Sequence, residues 1–289
     1  MYFESRDIRL HYRRWWVENA LGVVVVSHGL GEHSGRYRLL ARYLNAHGYS
    51  VYALDHFGHG QSPGRRGDIE EFTLYSTDLS HFIHLARHEN PGQSIHLLGH
   101  SMGGVIACDA LVSAGSEPLV DSLVLSAPAF TGGNEPGVVE VGLIRLLARI
   151  APGLPLSNRL DSRWISRDPE VVEAYRADDL VHDRVTPRWF LGYRKVRDRL
   201  LAHPEAIQTP CLTLLPEADY LVDPDVSRAW HESLEGSGHC LCTFAGAYHE
   251  VFNDPDLAEQ AMESLLEHLT EHSAPSTQGV LPEQLRAGA

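Results

Sequence analysis

Residues 94–104 read Ser94-Ile95-His96-Leu97-Leu98-Gly99-His100-Ser101-Met102-Gly103-Gly104. Ile95, Leu97 and Leu98 make an apolar run of strand length, and Gly103-Gly104-Val105-Ile106-Ala107 opens a helix. Gly99-His100-Ser101-Met102-Gly103 is therefore a G-x-S-x-G pentapeptide between a strand and a helix, the setting in which that motif presents a nucleophile. A serine on so tight a turn takes a strained backbone conformation, and glycines two residues before and after it remove the Cβ atoms that would collide. The turn lifts the Ser101 hydroxyl to the N-terminus of the next helix. There the helix dipole and the free Met102 N–H favour a developing negative charge.

Outward from this corner the chain alternates. Leu21-Gly22-Val23-Val24-Val25-Val26-Ser27 is a continuous β-branched run too short for a helix, and Val51–Leu54, Ser122–Ser126, Cys211–Leu215 and Cys240–Phe244 repeat the pattern. Helical stripes separate them. One carries Tyr37, Leu40 and Leu44 and stops at Gly48; another runs from Phe72 to His88 with Tyr75, Leu79, Phe82, Ile83 and Ala86 on one side. Strand-helix alternation dictates a mostly parallel sheet with helices on both faces and a site beyond the carboxyl ends of the strands. Asp7–Trp16 alternates apolar and polar residues, as an antiparallel strand with one wet face does, and Asp254-Pro255 opens a closing helix that faces Ala258, Met262, Leu265, Leu266 and Leu269 inward.

From Ala129 to Ile207 the rhythm breaks. Asp168-Pro169 and Thr186-Pro187 have the pattern of helix caps, and the second helix bears Trp189, Tyr193, Val196 and Leu200 on one face. Val138–Ile150, interrupted only by Glu140, Arg145 and Arg149, is apolar nearly all round, so it either packs internally or offers a face to a greasy ligand or a membrane surface. The division that follows is a core of residues 1–128 and 208–272, a helical cap of residues 129–207 over the strand ends, and a flexible tail of residues 273–289.

The 289 residues are enough for a large core, and the formal charge of −14 excludes nucleic-acid binding and a polybasic membrane anchor. The N-terminus lacks a basic start followed by an apolar run, and no stretch approaches a spanning helix, so the expected location is cytoplasmic, with peripheral membrane contact through the cap. Cys108, Cys211, Cys240 and Cys242 read as reduced core residues. His56 and His59 beside Asp55 invite a metal reading, but without H-E-x-x-H or a third ligand they read as loop hydrogen-bonding groups, and no metal or cofactor is expected.

Two acids compete to partner a catalytic histidine. Asp223 before Pro224 has the pattern of a helix N-cap, which leaves Asp219, nearer the strand end. His249 follows the last strand in a small-residue loop. Ser101, Asp219 and His249 stand in the order of an α/β-hydrolase triad: His249 takes the Ser101 proton as the hydroxyl attacks an ester, and Asp219 fixes the imidazole and stabilises its cation. The N–H groups of Leu30, in the loop Ser27–Tyr37, and of Met102 are the candidate oxyanion donors, each worth roughly 3 kcal/mol. His28 is read as holding that loop.

Ser27-His28-Gly29-Leu30-Gly31-Glu32-His33-Ser34-Gly35-Arg36-Tyr37, the glycine-rich stretch Asp55–Gly67, the Ser101 corner, Ala218-Asp219 with Val222-Asp223, and Gly246-Ala247-Tyr248-His249 together resemble the monoacylglycerol lipase and lysophospholipase group of serine hydrolases. The resemblance covers roughly residues 1–270. It implies an α/β-hydrolase fold with a helical cap inserted after the sixth strand, an acyl tunnel, no cofactor, and cleavage of monoacylglycerol to glycerol and a fatty acid. Glu32 and Arg36 would stand near the polar end of such a substrate, or form a salt link holding their loop. Tyr220 departs from the arginine common in the group. A lysophospholipase, a broad short-chain esterase and a non-catalytic ligand-binding protein remain alternatives, as do peptidase, thioesterase and perhydrolase chemistry.

Overall fold

The computed structural model describes residues 1–115, 118–131 and 135–273. In chain order its elements are β1 (Tyr2–Ser5), β2 (Ile8–Trp15), β3 (Gly22–Ser27), α1 (Arg38–Ala46), β4 (Tyr49–Leu54), α2 (Thr73–Glu89), β5 (Ser94–His100), α3 (Met102–Ala114) and β6 (Ser122–Ser126). Then follow α4 (Val138–Ile150), β7 (Leu156–Ser157), α5 (Pro169–Ala177), β8 (Arg184–Val185), α6 (Pro187–Ala202), β9 (Cys211–Pro216), α7 (Pro224–Glu232), β10 (Cys240–Phe244) and α8 (Ala258–Glu271).

Eight strands form one sheet in the order β1-β2-β4-β3-β5-β6-β9-β10, antiparallel at the β1-β2-β4 end and parallel from β4 onward. This is the α/β-hydrolase arrangement. The continuous valines of β3 serve both faces: Val23 and Val25 pack with α2 and α3 residues such as Phe82 and Ile106, and Val24 and Val26 pack with Leu40 and Leu44 of α1 and Leu265 of α8.

The first strand differs from the expectation. Asp7 is in a turn, not a strand, and Tyr2–Ser5 pairs with Ile8–His11 as a hairpin. Arg6 and Asp7 take φ of 51° and 61°, the double left-handed conformation of the tight hairpin turn, without the glycine or asparagine that usually marks it. Arg6 is held there by a two-pronged contact with the buried Asp78 of α2, at 2.8 and 2.7 Å. Cys240 also corrects the expectation: it begins the edge strand β10 and is exposed, and Cys242 is half-buried, whereas Cys108 and Cys211 are buried. The closing helix begins at Ala258, because Asp254 caps the preceding turn through the Asp256 and Leu257 amides.

After the sixth strand the chain leaves the sheet for α4 to α6 and a two-residue ribbon, β7 with β8. Asp168 and Thr186 cap α5 and α6 as their Asp-Pro and Thr-Pro pairs foretell, and α6 buries Trp189, Tyr193, Val196 and Leu200 into the core. Asp68, in the loop before α2, accepts from Thr186 Oγ1 at 2.7 Å and from both prongs of Arg188. The expected tail, apart from Ser273, and part of the expected loop before α4, residues 132–134, lie outside the described residues.

The elbow glycines are where this architecture is least forgiving. A Cβ on Gly103 would stand 2.0 Å from the Ser27 carbonyl oxygen, and one on Gly99 would stand 2.6 Å from the Gly103 oxygen, backbone against backbone in both cases. Gly103→Ala should therefore cost about 3 kcal/mol or more in denaturant unfolding. Gly142→Ala, on the exposed side of α4 with open space around it, should be neutral or stabilise by up to about 1 kcal/mol.

Candidate active site

Ser101 joins β5 to α3 with φ 52° and ψ −121°, a conformation that costs a non-glycine residue roughly 1–3 kcal/mol. Its own backbone groups fix it: the Ser101 N–H donates to Ser126 O at 3.0 Å, and its carbonyl accepts from Gly104 N at 2.9 Å and Ala129 N at 3.0 Å. The β6 end and the segment after it thus hold the serine from the far side.

Asp219 and His249 arrive from the loops after β9 and β10. Asp219 Oδ1 accepts from the Leu221 and Val222 amides at 2.8 and 3.0 Å, which fixes the carboxylate and leaves Oδ2 for His249 Nδ1 at 2.6 Å. Asp223 is occupied as the cap of α7, accepting from Asp225 N. Nδ1 thus faces Asp219, which leaves Nε2 as the other ring nitrogen, and Ser101 and His249 line the same two cavities. Burial opposes a charge on His249, but the charge and hydrogen bond of Asp219, helped by Glu250 and Glu32, outweigh it and raise the pKa above 6.5.

The loop after β3 is held peptide by peptide. The His56 amide donates to His28 Nε2 at 3.0 Å, so the His28 proton is on Nδ1 and is donated to Gly29 O at 2.8 Å. Gly29 N–H donates to Glu32 Oε1 at 2.6 Å. Because a trans peptide sets its N–H opposite its C=O, fixing the Gly29 carbonyl toward His28 turns the Leu30 N–H the other way. Leu30 and Met102 both border the cavity at Ser101, and among the described residues neither amide hydrogen-bonds within the chain. His56 and His59 bond to Ser27 Oγ and Phe57 O, as loop-holding groups.

For Glu32 and Arg36 the structure shows the salt link. Glu32 accepts from Gly29 N, Tyr37 Oη and Arg36, and Arg36 reaches both oxygens of Glu250. Burial would raise the Glu32 pKa, yet Arg36, His100, His28 and the Gly29 amide together pull it down to about 2. Glu32 and Glu250 line a cavity; Arg36, under the Tyr175 ring, does not.

Sequence reading missed four contributors. Glu250 is next to His249, but its role depends on Arg36, far away in the chain. His100 packs its ring 4.8 Å from that of His249, and burial pushes its pKa down to about 4, so it is neutral. Trp164 and Ile165, from the inserted segment, accept from the His249 and Glu250 amides.

Two cavities meet at Ser101. One of about 810 Å³ is lined by apolar groups including Leu143, Ile144 and Leu147 of α4, Phe190 of α6 and Leu221. The other, about 310 Å³, is smaller and more polar, with Glu32, Tyr175, Arg176, Asp178, His182 and Glu250 in its wall beside Leu30, Leu160, Ile165, Val181 and Leu221.

A sequence-family model described as serine aminopeptidase, S33, matches residues 18–256. The chain belongs to this family of α/β serine hydrolases. It is 35% identical over 254 residues to a monoacylglycerol lipase of Mycolicibacterium smegmatis, covering 86% of this chain and 89% of that one. It is 29% identical over 243 residues to the phospholipase YtpA of Bacillus subtilis, covering 84% and 93%. The crystal structure of a Paleococcus ferrophilus monoacylglycerol lipase superposes with a TM-score of 0.83 at 35% identity, covering 91% of this chain and 99% of that one.

An imidazole acting as base must be neutral, so a raised pKa moves the acid limb of activity upward. With a p-nitrophenyl ester, kcat/KM should fall as pH drops through a midpoint above 6.5. A midpoint at or below 6.5 would contradict the Asp219 and Glu250 influence on His249.

Proposed function

We propose that this serine hydrolase cleaves monoacylglycerol to glycerol and a fatty acid through an acyl-enzyme. The observation that carries the reading is the meeting of the two cavities at Ser101, a large apolar one for one acyl chain and a small polar one for a compact alcohol. His249 takes the Ser101 proton as Oγ attacks the ester carbonyl, and Asp219 holds the imidazole and balances its charge. The Leu30 and Met102 amides receive the oxyanion. His249 then protonates the departing glycerol, and water, activated by the same ring, releases the fatty acid.

The segment α4 to α6 acts as the cap in this reading, residues 129–207 over a core of 1–128 and 208–272. Val138, Val139 and Ile150 of α4 are 91%, 86% and 70% exposed, an apolar face suited to a lipid surface from which substrate is drawn. No helix among the described residues is long and apolar enough to cross a membrane. The location that fits is cytoplasmic and peripheral.

The polar cavity also favours glycerol over a phosphate-bearing headgroup, the lysophospholipase alternative. Even with Arg36 paired to Glu32 and Glu250, the acids Glu32, Asp178, Asp183 and Glu250 outnumber Arg176 and Arg36 around it, so an anionic headgroup meets net repulsion. On soluble substrates, kcat/KM for a medium-chain monoacylglycerol should exceed that for the matched 1-acylglycerol 3-phosphate at least about tenfold. Ser101→Ala should lower fatty-acid release roughly 10⁴-fold or more. Unchanged release by the variant rejects Ser101 as nucleophile, and faster turnover of an aminoacyl p-nitroanilide than of the ester would favour peptidase chemistry.

A further inference from the structure

Trp164, Ile165, Ser166 and Arg167 belong to the inserted segment, yet their polar groups engage the histidine loop. His249 N–H donates to Trp164 O at 3.4 Å and Glu250 N–H to Ile165 O at 2.8 Å. Ser166 Oγ donates to Asn253 O at 2.7 Å. Arg167 grips Asp254 with two prongs, Nε to Oδ2 at 2.8 Å and Nη2 to Oδ1 at 2.6 Å, and reaches Asp256 at 3.1 Å. Asp254 is buried and is also tied by its own loop amides, so the pair is anchored on the core side.

Two of these residues, Trp164 and Ile165, also touch the acid loop. The Trp164 ring lies 4.2 Å from that of Tyr220, next to Asp219, and 5.3 Å from that of Tyr248, next to His249. Ile165 is buried against Leu221, whose amide binds the Asp219 carboxylate. Before His249, the loop is held from the sheet side by the Ala218 N–H to Ala247 O bond. After His249, it is held by Arg36 at Glu250 and by residues 164–167.

We propose that Arg167 is a positioning residue for catalysis, fixing the histidine loop through Asp254 so that His249 stays in register between Asp219 and Ser101. The proposal rests on the triad reading above. The inserted segment is then part of the catalytic frame at this end and cannot swing away there as a rigid lid without loosening His249. A displacement of about 1 Å at a reacting group can cost about 10²-fold in rate, while ester binding in cavities lined by other residues is left alone.

The test compares wild type with Arg167→Met, which keeps the apolar stem and removes the prongs, and Arg167→Lys, which restores a charge without the fork. On p-nitrophenyl butyrate, below the Tm of each variant, kcat should fall about 10- to 100-fold for Met and less for Lys, with KM within about twofold. The downfield proton resonance of His249 Nδ1–H toward Asp219 should be present in wild type and broadened or lost in the Met variant. A folded Arg167→Met with unchanged kcat and a sharp resonance overturns the proposal, as does a loss confined to KM. If the Met variant does not fold, Arg167→Lys, which loses the fork but keeps a charge, must still lower kcat with KM within about twofold; wild-type kcat with a sharp His249 resonance in the Lys variant overturns the proposal. A wild-type protein that a fluorophosphonate does not label at Ser101 overturns the triad reading, and this proposal with it.

Discussion

The site depends on one close approach of backbone to backbone, where α3 begins against the end of β3. The Cβ position of Gly103 lies 2.0 Å from Ser27 O and 2.6 Å from His28 O, and that of Gly29 lies 3.2 Å from Ser101 Cβ. With nothing larger than hydrogen between them, the serine turn and the loop after β3 are set in contact, which places the Leu30 and Met102 amides on a common cavity. The strain of φ 52° at Ser101, roughly 1–3 kcal/mol, is offset by three backbone hydrogen bonds worth about 1 kcal/mol each. Strain and restraint come from the same few residues.

A second constraint is electrostatic. Glu32 and Glu250 are buried with Arg36 largely so between them, and a buried ion triad adds little net stability because desolvation offsets most of the attraction. What it fixes is geometry: Arg36 ties the loop after β3, through Glu32, to the loop after β10, through Glu250. Removing the arginine would leave two buried carboxylates facing one another. The loops that carry the candidate oxyanion amide and the histidine are thus joined by a charge that neither loop can release alone.

Legibility in the sequence follows the range of the interactions. The elbow, the buried strands and the helix caps at Asp168, Thr186 and Asp223 were readable, because each is decided within a few residues by Cβ sterics, β-branching or an Asp-Pro or Thr-Pro pair. Asp219 was separable from Asp223 for the same reason, since capping is local. The Arg6-Asp7 turn was not readable, because its left-handed conformation is held by Asp78, more than seventy residues on. Nor were Arg36 with Glu250 or Arg167 with Asp254, each a partnership across a long stretch of chain. Cys240 was misplaced because strand pattern does not say which strand is the sheet edge.

The inserted segment is not held evenly. Around α5 and α6, Arg188 and Thr186 grip Asp68, the His33 imidazole meets Asp178 at 2.9 Å, and the His182 amide reaches Gly31 O. α4 differs in its ties: like α5 it has one buried residue, Val141, but its Glu140–Arg159 ion pair is exposed to solvent. An exposed pair of that kind contributes about 0–1 kcal/mol. Ile144 and Leu147 line the apolar cavity, Leu143 stands at its rim, and Val138, Val139, Leu146 and Ile150 are exposed. What holds α4 at the wall of the large cavity is mainly apolar contact, where α5 and α6 are also tied by charged pairs. The polar cavity and the histidine loop lie behind the segment tied down by those pairs, and the larger cavity is walled in part by the helix held mainly through apolar contact.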